Sequence, residues 1–263
     1  MRISVLAENT AASDKLVAEH GLSLLLETQS ARILFDAGAS SVFAENAAAM
    51  GINLSTIDFT VLSHGHYDHG GGLPRFLELN NHAPIWANPH AFDAHFNATG
   101  KDIGLQPALA SSNRILTPTA EVQGLAPGIT LYQATCVPCR YPAAGAGMSA
   151  IINGQRVADD FRHEQYLLIE ERGKRILISG CSHRGILNIA THFKPDVLIG
   201  GFHFMKADPV ADAPMLLQAA EQLSALPTRY YTAHCTGAAA TELLRERMGS
   251  QLATISTGLI FDV

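Results

Sequence analysis

The run Ser63-His64-Gly65-His66-Tyr67-Asp68-His69-Gly70 puts three imidazoles and one carboxylate within six positions. It follows directly on an apolar stretch, residues 57–62. Imidazole and carboxylate are donors suited to zinc, iron and other divalent transition metals. Four of them in one short turn can feed two ions, His64 and His66 reaching one, Asp68 and His69 the other. A strand leading in, with Gly65 and then Gly70, Gly71 and Gly72 leading out, lets the backbone turn tightly so that the side chains converge. Pro74 then stands near the first turn of an expected helix.

A dinuclear site needs more ligands than this run supplies, and they belong at the same end of other strands. Three apolar segments end in histidine beside small residues. Residues 176–180 lead to Cys181-Ser182-His183, residues 197–201 to Phe202-His203, and residues 229–233 to His234-Cys235-Thr236-Gly237. One such end is explained by a hydrogen-bonded core histidine, but three of them beside the opening run are hard to explain by packing. His183 and His234 are therefore metal candidates and His203 a catalytic one, whereas His20, His82, His90, His95 and His192 read as structural or surface residues.

The 263 residues suffice for one large α/β domain or two small ones. Short apolar runs predict strands over residues 3–6, 22–27, 32–35, 59–62, 84–87, 129–133, 166–169, 175–178, 197–199, 230–232 and 256–261. Helices are predicted over 41–50, 73–79, 90–96, 186–192, 211–226 and 238–248. The two halves share a rhythm, strands first and strand–helix alternation after; the first ends near residue 95 and the second begins near residue 129. Residues 97–160, rich in proline and carrying Ala143-Ala144-Gly145-Ala146-Gly147, read as a loop or lid segment.

The formal charge of −6 and the lack of a Lys/Arg run argue against a nucleic-acid partner. Two divalent cations would add four positive charges inside the site, so a small-molecule substrate that is anionic or phosphorylated remains compatible with that charge. Glu8 comes too early for a signal peptide, no apolar run reaches about 18 residues, and four cysteines make no disulfide framework. A cytoplasmic protein without a membrane partner is expected. Cys136 and Cys139 read as ordinary thiols, and the composition is compatible with a homo-oligomer.

His64-Gly65-His66-Tyr67-Asp68-His69 resembles the HxHxDH signature of the metallo-β-lactamase superfamily. More narrowly, the chain resembles the branch of the dihydropterin-transferring β-ribofuranosylaminobenzene 5′-phosphate synthases. That likeness is carried by Glu19-His20-Gly21-Leu22-Ser23, Leu34-Phe35-Asp36-Ala37-Gly38, Gly180-Cys181-Ser182-His183-Arg184-Gly185-Ile186, Gly200-Gly201-Phe202-His203 and His234-Cys235-Thr236-Gly237. It implies one α/β domain over residues 1–263, a four-layer αββα sandwich with two divalent metals at one edge. Zinc is the first expectation, with iron and manganese as alternatives. It makes His64 and His66 ligands of the first metal, and Asp68, His69 and His234 ligands of the second. Asp36 becomes the acid that orients the ligand loop. Where many members carry a bridging aspartate after glycine, this chain reads Gly180-Cys181, which leaves His183 as the first substitute and Cys181 as the second. The third ligand of the first metal usually precedes a strand, where His163 and Glu164 stand.

The activity expected first is metal-dependent hydrolysis of an ester, amide or phosphoester by a metal-held hydroxide, the pKa of bound water falling from 15.7 toward about 7. Asp68 and His203 are the expected catalytic residues. The alternative is a transferase that uses a pterinyl diphosphate and an aromatic amine. A non-catalytic metal-binding protein is the third reading.

Overall fold

The computed structural model describes residues 1–263 and is built on two seven-stranded sheets. The first runs in the order Ile260–Asp262 (β17), Arg2–Ala7 (β1), Ser23–Glu27 (β2), Arg32–Phe35 (β3), Phe59–Val61 (β4), Ile85–Trp86 (β5) and Ile115–Leu116 (β7). The second runs Leu252–Thr254 (β16), Arg229–Thr232 (β15), Val197–Ile199 (β14), Lys174–Ile178 (β13), Gln165–Glu171 (β12), Ile129–Gln133 (β9) and Val122–Ala126 (β8). A small third sheet joins Gln155–Ala158 (β11), Ser149–Ile152 (β10) and His95–Phe96 (β6). Each large sheet is antiparallel in its early strands and parallel in its later ones: β3, β4, β5 and β7 in the first, and β13, β14, β15 and β16 in the second.

Alternation along the strands explains the layering, because successive side chains point to opposite faces. In β2, Leu24 and Leu26 join a core between the sheets with Leu167, Ile169, Ile176, Ile178 and Ile199. Leu25 faces the other way, into a layer with Phe43 of Val42–Ala49 (α1) and Phe76 of Leu73–Leu79 (α3). On the far side, Tyr166, Leu177, Leu198 and Tyr230 pack under Ile186–Phe193 (α4), Ala213–Ser224 (α5) and Ala238–Met248 (α6). Helix, sheet, sheet, helix is the expected four-layer αββα sandwich. No helix is long and apolar enough to cross a membrane.

Four expectations give way. The helix predicted over 90–96 is a bend followed by β6: the Asn88 side chain accepts the His90 N–H at 2.8 Å, and His95 and Phe96 pair with Ala150 and Ser149. The strand predicted over 256–261 is broken at Gly258, where φ is +91°, so that β17 begins at Ile260 and pairs with β1. The last strand thus returns to the first sheet. Nor is 97–160 all loop, for it contains β7, β8, β10 and β11. The β10–β11 hairpin turns on Asn153-Gly154 with φ of +52° and +76°, the Asn-Gly pair that a two-residue hairpin favours. Finally, β7 carries the first sheet past residue 95, to Leu116.

Candidate metal centre

Ligands in open α/β sheets gather beyond the carboxyl ends of parallel strands, and the candidate residues gather there. The end of β3 delivers Asp36, β4 delivers Ser63 and His64, β13 delivers Cys181 and His183, β14 delivers His203, and β15 delivers His234. A short helix, Tyr67–Gly70 (α2), carries Asp68 and His69 on the turn after His66. Asp36, Ser182, His203 and His234 all take left-handed backbone, with φ between +51° and +58°. Such conformations cost roughly 1–3 kcal/mol each and persist where the surroundings over-determine them.

The glycines around the run work differently from the expected tight turn. Gly65 and Gly72 have ordinary φ, but a Cβ on either would collide with the carbonyl oxygen of Ala91 or Ala37. Their role is close backbone approach, which lets the run seat against its neighbours.

Hydrogen bonds fix three imidazoles so that one nitrogen faces inward. Asp36 accepts the Ser63 N–H at 2.7 Å and the Ser63 hydroxyl at 2.7 Å, and it takes the Nδ1–H of His69 at 2.6 Å. Ser63 Oγ in turn accepts Nδ1–H of His64 at 2.8 Å. Asn9 Oδ1 accepts Nδ1–H of His234 at 2.8 Å. The Nε2 atoms of His64, His69 and His234 are thereby the ring nitrogens turned inward: that of His64 has no partner, while those of His69 and His234 meet Cys181 Sγ and Asp68 Oδ2. Buried with no partner are Nε2 of His64, Nε2 of His66 and both ring nitrogens of His183.

Two of the resulting groups have donor atoms within 4.8 Å of one another: His64, His66 and His183, and His20, Asp68 and His234. Asp68 Oδ2 lies 3.1 Å from His234 Nε2, 3.5 Å from His20 Nε2 and 4.0 Å from His69 Nε2. Cys181 stands between the groups, its Sγ 3.1 Å from His69 Nε2 and clustered with His64. His183 thus sits with His64 and His66, against Phe161, whose ring stacks on it at a centroid distance of 4.6 Å. His203 lies one step outward, its ring 4.3 Å from that of His183.

Electrostatics follow from burial. His64, His66 and His183 are held well below the ordinary imidazole pKa, by desolvation first and then by neighbouring imidazoles. His69 moves the other way: burial opposes its protonation, but Asp36 outweighs it and lifts the pKa to about 9. Burial also opposes ionisation of Asp68, yet the hydrogen bond from His234 and the charge of His69 keep it well below the usual carboxylate range.

Glu164 is engaged elsewhere, whereas His163 keeps a buried Nε2 without a hydrogen-bond partner and groups with His66, His95 and Asp159. His163 Nδ1 accepts the Gly65 N–H at 2.9 Å, and its Nε2 points to Asp159 at 3.4 Å. Glu164 accepts the N–H groups of His183 and Arg184 at 2.6 and 2.9 Å and the Tyr166 hydroxyl at 2.6 Å. Burial raises its pKa to about 7 despite those bonds. Three residues at the site escaped the sequence reading. His20, read as structural or surface, faces Asp68, and its Glu19-His20-Gly21 setting was the available signal. His95 and Asp159 pair at 3.0 Å beside His163 and His66. His95 was masked by the helix expected over 90–96, and Asp159 had only its four-residue spacing from His163 to mark it. The Cys136 and Cys139 thiols are free.

Comparison with known proteins places the chain. Residues 17–135 match the family model of the metallo-beta-lactamase superfamily. The 7,8-dihydropterin-6-methyl-4-(beta-D-ribofuranosyl)-aminobenzene-5'-phosphate synthase of Methanocaldococcus jannaschii is 31% identical, over 99% of this chain and 96% of its own length. An uncharacterised protein of the same organism is 31% identical over 77% of this chain and 79% of its own length. A crystal structure of a metal-dependent hydrolase of the beta-lactamase superfamily superposes with a TM-score of 0.83 at 28% identity, covering 100% of this chain and 99% of that one.

Proposed function

The chain belongs to the metallo-beta-lactamase superfamily, and from that premise we propose that it is a metal-dependent hydrolase of a small-molecule ester, amide or phosphoester, acting in the cytoplasm as a single catalytic domain. The observation that carries this reading is the set of inward, unpartnered imidazole nitrogens of His64, His66 and His183 beside the group of His20, Asp68 and His234. Buried polar atoms are almost always partnered, so a cluster without partners is built for something that supplies the bonds.

His64, His66 and His183 would hold one divalent cation; Asp68 and His234, which group with His20, would hold the other with His69 beside them, and Cys181 lies against His64 and His69 where the two sets meet. Nitrogen, oxygen and sulfur donors of this kind suit zinc first, with iron and manganese as alternatives. When bound, such cations supply Lewis acidity, polarising an acyl or phosphoryl oxygen and activating water. The remaining work falls to the chain. Asp36, Ser63 and Asn9 keep the imidazoles aimed. Asp68, kept ionised by its neighbours, serves as a carboxylate donor toward a cation and as a hydrogen-bond acceptor for His234 at Oδ2 rather than as a proton donor. His203, half-buried beside His183 with a buried Nδ1 lacking a partner, is placed to give a proton to the departing group.

Near full-length similarity to the synthase favours a second reading, transfer of a pterinyl group from its diphosphate to an aromatic amine. One experiment separates the two. Purified protein is assayed for metal content, then screened against phosphodiesters, phosphomonoesters, lactones and pterin diphosphates. Pyrophosphate release that depends on an added aromatic amine selects the transferase; water-dependent turnover without it selects the hydrolase. His64→Ala is expected to lose both bound metal and turnover, and full activity in that variant without metal would overturn the proposal.

A further inference from the structure

A cavity of about 600 Å³ opens beside His203. Its wall is mostly apolar and partly aromatic, with Tyr141, Ile186, Phe202, Phe204, Met215 and Ala219 among the lining. It carries one carboxylate, Asp212, and neither lysine nor arginine. Two polar atoms of the lining residues have no partner, His203 Nδ1 and Gln222 Oε1, and of these only the amide oxygen is an obligate acceptor, buried with nothing to accept from. A buried acceptor left without a donor costs about 1–3 kcal/mol, so the wall is complete only when something brings an N–H or O–H to it.

The cavity connects to the metal centre. His203 belongs to both, and its ring is 4.3 Å from that of His183. The loop over the cavity is pinned in place: Asn188 Oδ1 accepts the N–H groups of Arg140 and Tyr141 at 2.8 Å each, and its amide donates to Tyr141 O at 2.9 Å. The Ala144 N–H donates to His183 O at 2.8 Å. Gly145, at φ +90°, brings the same loop against the His183 ring, where a Cβ would stand 3.2 Å from Nδ1. Part of the segment first read as a loop or lid is therefore a fixed wall joining cavity to centre.

The geometry points to this cavity as the site for one end of the substrate: an apolar, preferably aromatic group without negative charge, bearing a hydrogen-bond donor for Gln222. The inference rests on the reading of the neighbouring centre as catalytic. It narrows the substrate, because an anionic or phosphoryl group has no cationic partner on this wall and belongs on the metal side of His203. Pockets of this make-up, apolar with a few placed polar groups, are typical of small-molecule sites.

The test uses zinc-loaded protein and two probes of nearly equal shape, benzyl alcohol and benzyl methyl ether, with binding read by ligand-observed NMR titration. Benzyl alcohol is expected to bind roughly threefold to tenfold more tightly, the worth of one hydrogen bond. Gln222→Leu should erase that preference while retaining ether binding. Ala219→Phe, which fills the cavity, should weaken both probes at least tenfold with zinc content unchanged. Should that variant misfold, Met215→Trp at the exposed rim is expected to weaken both in the same direction. Equal affinity for the two probes in the unmodified protein, or unchanged binding in a folded, cavity-filled variant, would overturn the inference. Because binding is read without turnover, failure of the hydrolase reading leaves a separate signature: intact probe binding with no substrate consumed.

Discussion

The two halves of the metal centre are held in place by different means. In the Asp68, His69 and His234 group each imidazole is steered by a named acceptor: His69 by Asp36 and His234 by Asn9. In the other group only His64 has such a partner, Ser63, while His183 has neither ring nitrogen bonded and is positioned by the flat stack of Phe161. Hydrogen bonds fix both the rotation and the tautomer of a ring; stacking fixes its plane and leaves the tautomer free. The first half is thus set by polar partners, the second largely by packing.

The largest effect should come from Asp36→Asn. The carboxylate serves Ser63 and His69 at once, and an amide presents N–H groups to the hydroxyl and imidazole it formerly accepted from. Metal affinity should fall roughly 10–100-fold, with the larger share lost from the His69 group. Breaking the buried pair should also destabilise the metal-free protein by about 3–5 kcal/mol, checked by denaturant titration. Equal loss from both metal positions would show that the two halves are not independently held.

A matched pair of smaller changes sharpens the contrast. Asn9→Ala should weaken the metal at the His234 group by about tenfold and spare the other. Phe161→Leu should do the reverse, and more weakly, since it removes a stacking surface worth about 0.5–1.5 kcal/mol. Competition with a chelator of known affinity, followed for two successive equivalents of metal, reads both.

The metal-free protein should also show a pH dependence. His69 is raised from 6.5 to about 9 in the folded state, so the folded chain binds its proton more tightly than the unfolded one. Its contribution to stability is full below about pH 6.5 and is lost as pH rises through about 9. Melting temperature should fall across that window, and the slope should flatten in His69→Gln. A window of the same size in the variant would assign the slope to another group.

Much of the centre was legible before folding because it is local. Four donors within six residues are kept near one another by chain connectivity, and apolar runs ending in His183, His203 and His234 announce strand ends by their own composition. The hairpin at Asn153-Gly154 was equally local; its turn signal lay within a proline-rich stretch read whole as loop. The helix expected over 90–96 failed because pairing with β10 outweighed weak helical periodicity.

By itself, then, the sequence determined the donor types, their place at strand ends and the sandwich that such a pattern accompanies. The tertiary structure alone decided how they are grouped: His183 with His64 and His66, Cys181 between the two sets, His20 against Asp68, and the apolar cavity behind His203. The physical reason is separation along the chain. Which strand ends come within 5 Å depends on strand order within each sheet and on how the two sheets pack around their shared core, and no single segment encodes either.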